Sequence, residues 1–306
     1  MPAVLVVEQL LNGVQFGLML FLLSAGLTLV LGIMDVVNLA HGSLYMLGAY
    51  FAATVASATG SFWAGVAAGV LLTAAVGVLL EVSVLRRVYT RDHLSQVLAT
   101  FALILVFNEA VRMVWGPQAL HISVPPELAR PVQVLPGLPY SAYRLVLLGV
   151  GAALAALLFF LIHRTRLGMW VRAGASNRSM AQAMGVPIRQ VFTLVFAVSA
   201  ALSAVAGALL GPILAVQVGM GEDILILAFV VIVLGGIGSV KGSLLGSLLV
   251  GVVDTAGRAF LPPLFAKLMA PEVASNLGPT LASVLIYLLM AVVLFFRPRG
   301  LFPVHS

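Results

Sequence analysis

Long apolar runs alternate along the chain with short polar, proline-rich or glycine-rich breaks, and a hydrocarbon core takes roughly 20 helical residues to cross. The first run spans about Glu8 to Ile33, and a second follows Asp35-Val36-Val37, taking in Asn38-Leu39-Ala40-His41-Gly42-Ser43 and continuing to about Ala58. A third covers Ser61 to Val82 and a fourth Leu94 to Trp115, with Asn108, Glu109 and Arg112 near its far end. Glu109 and Arg112, three apart, share a helix face and read as a local ion pair. Two further runs occupy Arg144 to Ile162 and Val191 to Gly211, and the last Thr280 to Phe296. Gly13 with Gly17, Gly65 with Gly69 and Gly207 with Gly211 are small-residue pairs that predict helix-packing seams. The apolar start, Met1 to Leu31, lacks a basic region before it and reads as a retained span.

Two segments do not fit that length. Ile224 to Leu234 offers only 11 apolar residues before Gly235, after Glu222 and Asp223, which suit an exposed helix N-terminus. Leu244 to Val253 is also short and is followed by Asp254 and Arg258, four apart and able to pair. Between the two lies Gly235-Gly236-Ile237-Gly238-Ser239-Val240-Lys241-Gly242. Short halves broken at glycines predict discontinuous helices or a hairpin entering the membrane from one side. Two crossings here give nine spans and one re-entrant hairpin gives seven, with the N-terminus outside in either case.

Composition turns these runs into a class. Hydrophobic residues make up 62% of the 306 and charged ones 8%, more apolar surface than a soluble core of this size can hide. The fold class is therefore all-α, a polytopic membrane protein embedded in lipid. The net charge of +6 resides in a few short loops, so it reports orientation in a membrane and not nucleic-acid binding. The absence of cysteine removes disulfides, thiolate metal sites and thiol nucleophiles.

The densest basic loop, His163 to Gln190, carries Arg164, Arg166, Arg172, Arg178 and Arg189 with no acidic residue, which places it on the cytoplasmic side. Arg86, Arg87 and Arg91 form a second such loop with Glu81 and Asp92 at its margins, and Arg297 and Arg299 hold the C-terminus inside. The Gly116 to Tyr143 connection, with Pro117, Pro125, Pro126, Pro131, Pro136 and Pro139, reads as irregular and external. Inside the arginine island, Trp170, Ala173, Met180, Ala181 and Met184 form an apolar helical stripe with Arg172 and Arg178 facing outward. Gly185 and Pro187 end that helix. An amphipathic helix of this kind needs a partner.

Candidate chemistry is sparse. The Gly235 to Ser243 stretch differs from a phosphate-binding loop, because Val240 precedes Lys241 and the flanks are membrane spans. Unless Asp35, Asn38 and His41 count, no histidine sits at metal-ligand spacing; no hydrolase constellation can be picked out, and no cofactor is expected. Asp35, Asn38 and His41 recur every third residue; they line one side of a broken helix or sit in the loop between the first two spans. Val30-Leu31-Gly32 followed by His41-Gly42-Ser43-Leu44 is echoed by Val233-Leu234-Gly235 followed by Lys241-Gly242-Ser243-Leu244. Repeats of this sort meet at a substrate path, so Asn38, His41, Gly42, Gly236, Gly238 and Gly242 are the candidate pathway residues.

Three separated motifs carry a family resemblance. Gly26-Leu27-Thr28-Leu29-Val30-Leu31-Gly32 with Val37 to Tyr50, Arg164-Thr165-Arg166-Leu167-Gly168 with Arg172-Ala173 and Ala181 to Val186, and Gly235-Gly236-Ile237-Gly238-Ser239 with Gly242 together resemble the LivH-type permeases of branched-chain amino-acid ABC importers. The island lacks the Arg-Glu expected of the LivM-type partner. The resemblance implies a single permease domain over 1–306 in the bacterial inner membrane, performing no covalent chemistry. It also implies a LivM-type permease, two cytoplasmic ATPases and a periplasmic binding protein as partners. It makes 163–190 a coupling loop, with Arg172, Ala173, Arg178, Ala181, Ala183 and Gly185 as its contact residues. The implied substrates are branched-chain or other hydrophobic amino acids, with urea, amides and aromatic acids as alternatives within the class. A self-sufficient secondary transporter is the rival class; it calls for intramembrane acids as ion relays, and Glu109 and Asp254 each have an arginine at hand.

Overall fold

Backbone N–H and C=O groups in a lipid core must be satisfied within the chain, and helices do this with local bonds alone. The computed structural model, which describes residues 3–89, 91–267 and 269–302, is built mostly of helices. Its helices are α1 (Ala3–Met34), α2 (His41–Thr59), α3 (Phe62–Leu80), α4 (Arg86–Val88), α5 (His93–Trp115), α6 (Ala142–Arg164), α7 (Arg166–Ser176), α8 (Arg178–Ala183), α9 (Ile188–Leu214), α10 (Met220–Gly235), α11 (Val240–Phe265) and α12 (Pro271–Phe296). A π-helical turn, Glu81–Leu85, joins α3 to α4. Among the described residues, seven helices are long and apolar enough to cross a membrane. The all-α polytopic expectation holds.

The route to that number differs from the sequence reading. The run from Leu244 to Val253 is not a short half: α11 is 26 residues long and continues through Asp254 and Arg258. Those two charges neutralise each other, with the Arg258 Nε 2.8 Å from the carboxylate of the buried Asp254. A polar pair that looked like the end of a span is thus a feature within one. Of those two runs only α10, with 16 residues, remains short, and α2, read from sequence as the second span, is not among the seven.

The Gly116 to Tyr143 connection also departs from expectation. It holds an antiparallel hairpin of β1 (Pro131–Leu135) and β2 (Leu138–Ser141), with Val132 opposite Tyr140. Gly137, at φ 82°, supplies the left-handed turn residue. Pro131 stands first in its strand and Pro136 lies in the turn, so neither breaks the pairing.

The chain divides into two compact units whose boundaries fall inside α1, α6 and α10 and, between Pro125 and Pro126, in the connection from α5 to β1. The larger unit takes the described residues within 22–125 and 156–226. Its core is the mutual packing of α2, α3 and α9, with Tyr45, Tyr50 and Phe196 fully buried. Small residues set the spacing. A Cβ on Gly69 would stand 2.7 Å from the Gly48 carbonyl, and one on Gly207 would overlap the Tyr45 carbonyl. The helix-seam reading of Gly65, Gly69 and Gly207 is therefore met by backbone contacts.

The smaller unit takes the described residues within 3–21, 126–155 and 227–302. Gly13 and Gly17 of α1 pack directly on α11 at Gly251, Val252 and Ser247. Pro262 of α11 fills the space beside Gly278 of α12. The hairpin is tied to α1 by Asn12, which accepts from the Tyr140 hydroxyl at 2.9 Å and from Arg144 at 2.7 Å. The backbone amides of Leu301 and Phe302 donate to the carbonyls of Leu234 and Gly235, each at 2.9 Å. The segment after α12 therefore satisfies carbonyls that the C-terminus of α10 leaves open.

Candidate functional site

The arginine island folds as two short helices, not one. Thr165 caps α7, its hydroxyl accepting the Gly168 amide at 3.3 Å. Asn177 ends α7 in an extended conformation (φ −156°, ψ 103°) and caps α8, its Oδ1 accepting the Met180 amide at 2.9 Å. An asparagine side chain that bonds the next turn competes with helix continuation, and here it breaks the predicted segment in two. The C-terminus of α8 is as predicted. Gly185 adopts φ +86°; its amide donates to the Gln182 carbonyl and the Val186 amide to the Ala181 carbonyl, each at 3.0 Å. That pair of bonds is a Schellman cap.

The break re-aims the side chains. Arg178 does not face outward: its Nε donates to the Ile33 carbonyl at 3.1 Å, and its guanidinium lies 5.4 Å from the centre of the Phe192 ring. Arg172 is exposed, with a guanidinium nitrogen on the Ile162 carbonyl. Ala173 is half-buried, Ala183 and Gly185 are exposed, and Ala181 is buried. The exposed apolar residues are methionines, Met180 at 60% and Met184 at 79%. Sequence reasoning put these on one stripe with Ala181; the structure turns the methionines out and the alanine in.

The candidate pathway residues fall into two groups. Asp35 is exposed in a left-handed conformation (φ 52°), while Asn38 and His41 are fully buried. The three do not line one helix side, since Asp35 and Asn38 lie in the α1–α2 connection and His41 opens α2. Asn38 accepts the Ala40 amide at 3.1 Å. The His41 Nε2 lies 3.1 Å from the Leu23 carbonyl and 2.8 Å from the Ser203 hydroxyl, joining α1, α2 and α9. Gly42 crosses Gly221, near the start of α10, with no room for a Cβ on either. Gly242 makes the equivalent crossing with Gly235, at the other end of α10. Gly236 (φ 106°) and Gly238 (φ 80°) form the left-handed turn between α10 and α11, and the close neighbour of Gly236 is the Phe302 carbonyl.

One polar cluster was not anticipated. Glu81, read as the margin of a basic loop, is fully buried. It is held by Arg86 at 2.9 Å, by the Thr193 hydroxyl of α9 at 2.7 Å and by the Tyr89 hydroxyl at 3.1 Å. Burial and the neighbouring Glu81 charge push the Tyr89 hydroxyl well above its ordinary pKa, so it stays a donor. The signal available in sequence was an acid next to arginines; the missing information was the π turn, which brings residues five apart onto one side. Among the described residues no cluster of potential metal ligands occurs.

Comparison with known proteins covers most of the chain. The family model of the branched-chain amino acid transport system permease component matches residues 9–294. The chain belongs to this family. BraD, a high-affinity branched-chain amino acid transport system permease protein of Pseudomonas aeruginosa, is 30% identical over 96% of this chain and 94% of its own length. The corresponding LivH of Escherichia coli is 30% identical over 83% and 86%. A probable LivH of Methanocaldococcus jannaschii is 26% identical over 84% and 83%. No solved structure matches the chain.

As a permease component, the protein is a multi-pass chain of the inner membrane and a transport subunit, not an enzyme. It works with the other chains of an ABC transporter, and ATP hydrolysis belongs to separate subunits.

Proposed function

We propose that this permease is the LivH-type half of an ATP-driven importer of branched-chain or other hydrophobic amino acids. Its partners are a LivM-type permease, two cytoplasmic ATPases and a periplasmic binding protein, with 163–190 as the cytoplasmic coupling loop of one permease domain. The observation that carries the reading is the geometry of α7 and α8. Two short capped helices lie among five arginines, present Met180 and Met184 outward, and are anchored inward by Arg178 on Ile33 and Phe192. Exposed flexible methionines beside cations suit insertion into a cleft of another protein. The contact residues of the loop are then Arg172, Ala173, Ala183 and Gly185 with the two methionines, while Arg178 and Ala181 hold the helix in place. ATP-driven closure of the partners would move this loop and shift the permease pair between outward-open and inward-open states.

In the same reading, the crossing at Gly42 in the larger unit, where Asn38 and His41 fix the entry to α2, and the crossing at Gly242 in the smaller unit, with Gly236 and Gly238 in the turn, each keep helix backbones close enough to slide during transport. The test is reconstitution of the five-chain complex in proteoliposomes. Saturable, ATP-dependent uptake of leucine, isoleucine or valine supports the proposal. Uptake confined to urea, amides or aromatic acids would keep the importer and change its substrate. Uptake by this chain alone, driven by an ion gradient, would overturn it in favour of a secondary transporter. Met184→Asp should release the ATPases from the permease pair.

A further inference from the structure

We propose that Glu81 is a positioning residue for energy coupling: its buried cluster clamps the docking helix α8 to the transmembrane pair α3 and α9, so that the three move as one body. This rests on the coupling-loop reading above. The clamp is continuous. Arg178 of α8 stands over the Phe192 ring of α9. Phe192 meets the Tyr89 ring edge-on, with centroids 5.7 Å apart. The Tyr89 hydroxyl donates to the Glu81 Oε1 at 3.1 Å. The other oxygen, Oε2, accepts from Arg86 at 2.9 Å and from Thr193 at 2.7 Å, and Arg86 also donates to the Thr193 hydroxyl at 2.9 Å. All these residues belong to the larger unit.

Three physical points favour positioning over mere stability. A fully buried carboxylate is costly to desolvate, and apolar residues of the same volume would hold the helices together as well or better. What the ionic cluster adds is direction: both Glu81 oxygens are engaged by fixed donors, so the partners cannot slide without leaving a buried charge unpaired. The cluster also depends on the Glu81–Leu85 π turn, a rare winding that occurs frequently at functional sites. Finally, the clamp ends at α8, through Arg178 and its bond to the Ile33 carbonyl at the end of α1. A packing device for α3 and α9 alone would not need that extension.

The protein's lack of cysteine makes the test clean. Spin labels at Ser179, on α8, and Leu71, an exposed position on α3, report the clamp by their distance distribution in the assembled complex, nucleotide-free and vanadate-trapped. The unaltered protein should give one narrow distribution, the same in both states. Tyr89→Phe, which removes one hydroxyl and keeps the ring, and Glu81→Gln should broaden it or make it differ between states. Both should lower leucine imported per ATP about fivefold or more, with the ATPases still bound. Glu81→Gln combined with Arg178→Gln should lose no more than the worse single variant, because both cut the same link. Should Glu81→Gln fail to assemble, Tyr89→Phe decides alone. A narrow, state-independent distribution in Tyr89→Phe with unchanged leucine per ATP overturns the proposal, as does a state-dependent distance in the unaltered protein. Failure of the underlying reading has a different signature: Met184→Asp would then retain the ATPases, whatever Glu81 does.

Discussion

Glu81 and Arg86 meet at 2.9 Å although they stand five positions apart in the chain. On an α-helix that spacing puts side chains about 140° apart, facing different ways. The π turn from Glu81 to Leu85, in which the Arg86 amide bonds back to the Glu81 carbonyl, closes this gap.

The pair makes an asymmetric prediction for stability. Arg86→Leu leaves a buried carboxylate with hydroxyl donors only and should lower unfolding free energy by on the order of 3 kcal/mol. Glu81→Leu with Arg86→Leu should recover most of that loss. Thermal melting in detergent measures both, and a double variant less stable than Arg86→Leu would contradict the argument.

Orientation can be read with single cysteines. Ser176 and Ala129 are both exposed, one in the arginine island and one in the proline-rich connection. Ala129→Cys should react with an impermeant maleimide in intact cells and Ser176→Cys only after the membrane is opened, because arginine-rich loops stay inside. The reverse pattern would invert the topology.

Position Ala181 separates packing from docking. Since Ala181 is buried within the chain, Ala181→Leu should overpack its own surroundings, cost roughly 1–3 kcal/mol and lower the melting temperature. Ala183→Leu, on the exposed side, should leave melting unchanged and weaken ATPase binding in a pull-down. Equal melting of the two variants would show that α8 turns a different face inward.

Between α10 and α11, Gly238 at φ 80° admits a side chain only with strain. Gly238→Leu should cost about 1–2 kcal/mol, the usual left-handed penalty for an L-residue. Gly242→Leu should be more damaging, since its Cβ would overlap the Gly235 backbone. The expected outcome is membrane-inserted Gly238→Leu protein that fails in uptake and Gly242→Leu protein that does not accumulate. Normal uptake by Gly238→Leu would remove that glycine from the transport path.

Several features of this permease were fixed by local physics and so were legible in the chain itself. Apolar runs of membrane length with arginines between them need no tertiary partner to be read, and they specified a polytopic helical protein. The Schellman cap at Gly185 and the pairs Glu109–Arg112 and Asp254–Arg258 join residues within one or two helical turns. Their spacing alone predicts them. The helix seams at Gly13, Gly65 and Gly207 could be named as seams, but not their partners.

What only the tertiary structure decided depends on contacts between distant residues or on a local winding that propensity does not encode. The break at Asn177 came from a cap that competes with one continuous helix. Arg178 turned inward because a carbonyl at Ile33 and a ring at Phe192 await it there, 145 residues earlier in the chain in the case of Ile33. Glu81 became a buried hub only because the π turn and Thr193 of α9 complete its donors. A sequence shows which residues carry charge; whether a charge faces water or a buried partner is set by the packing of helices far apart in the chain.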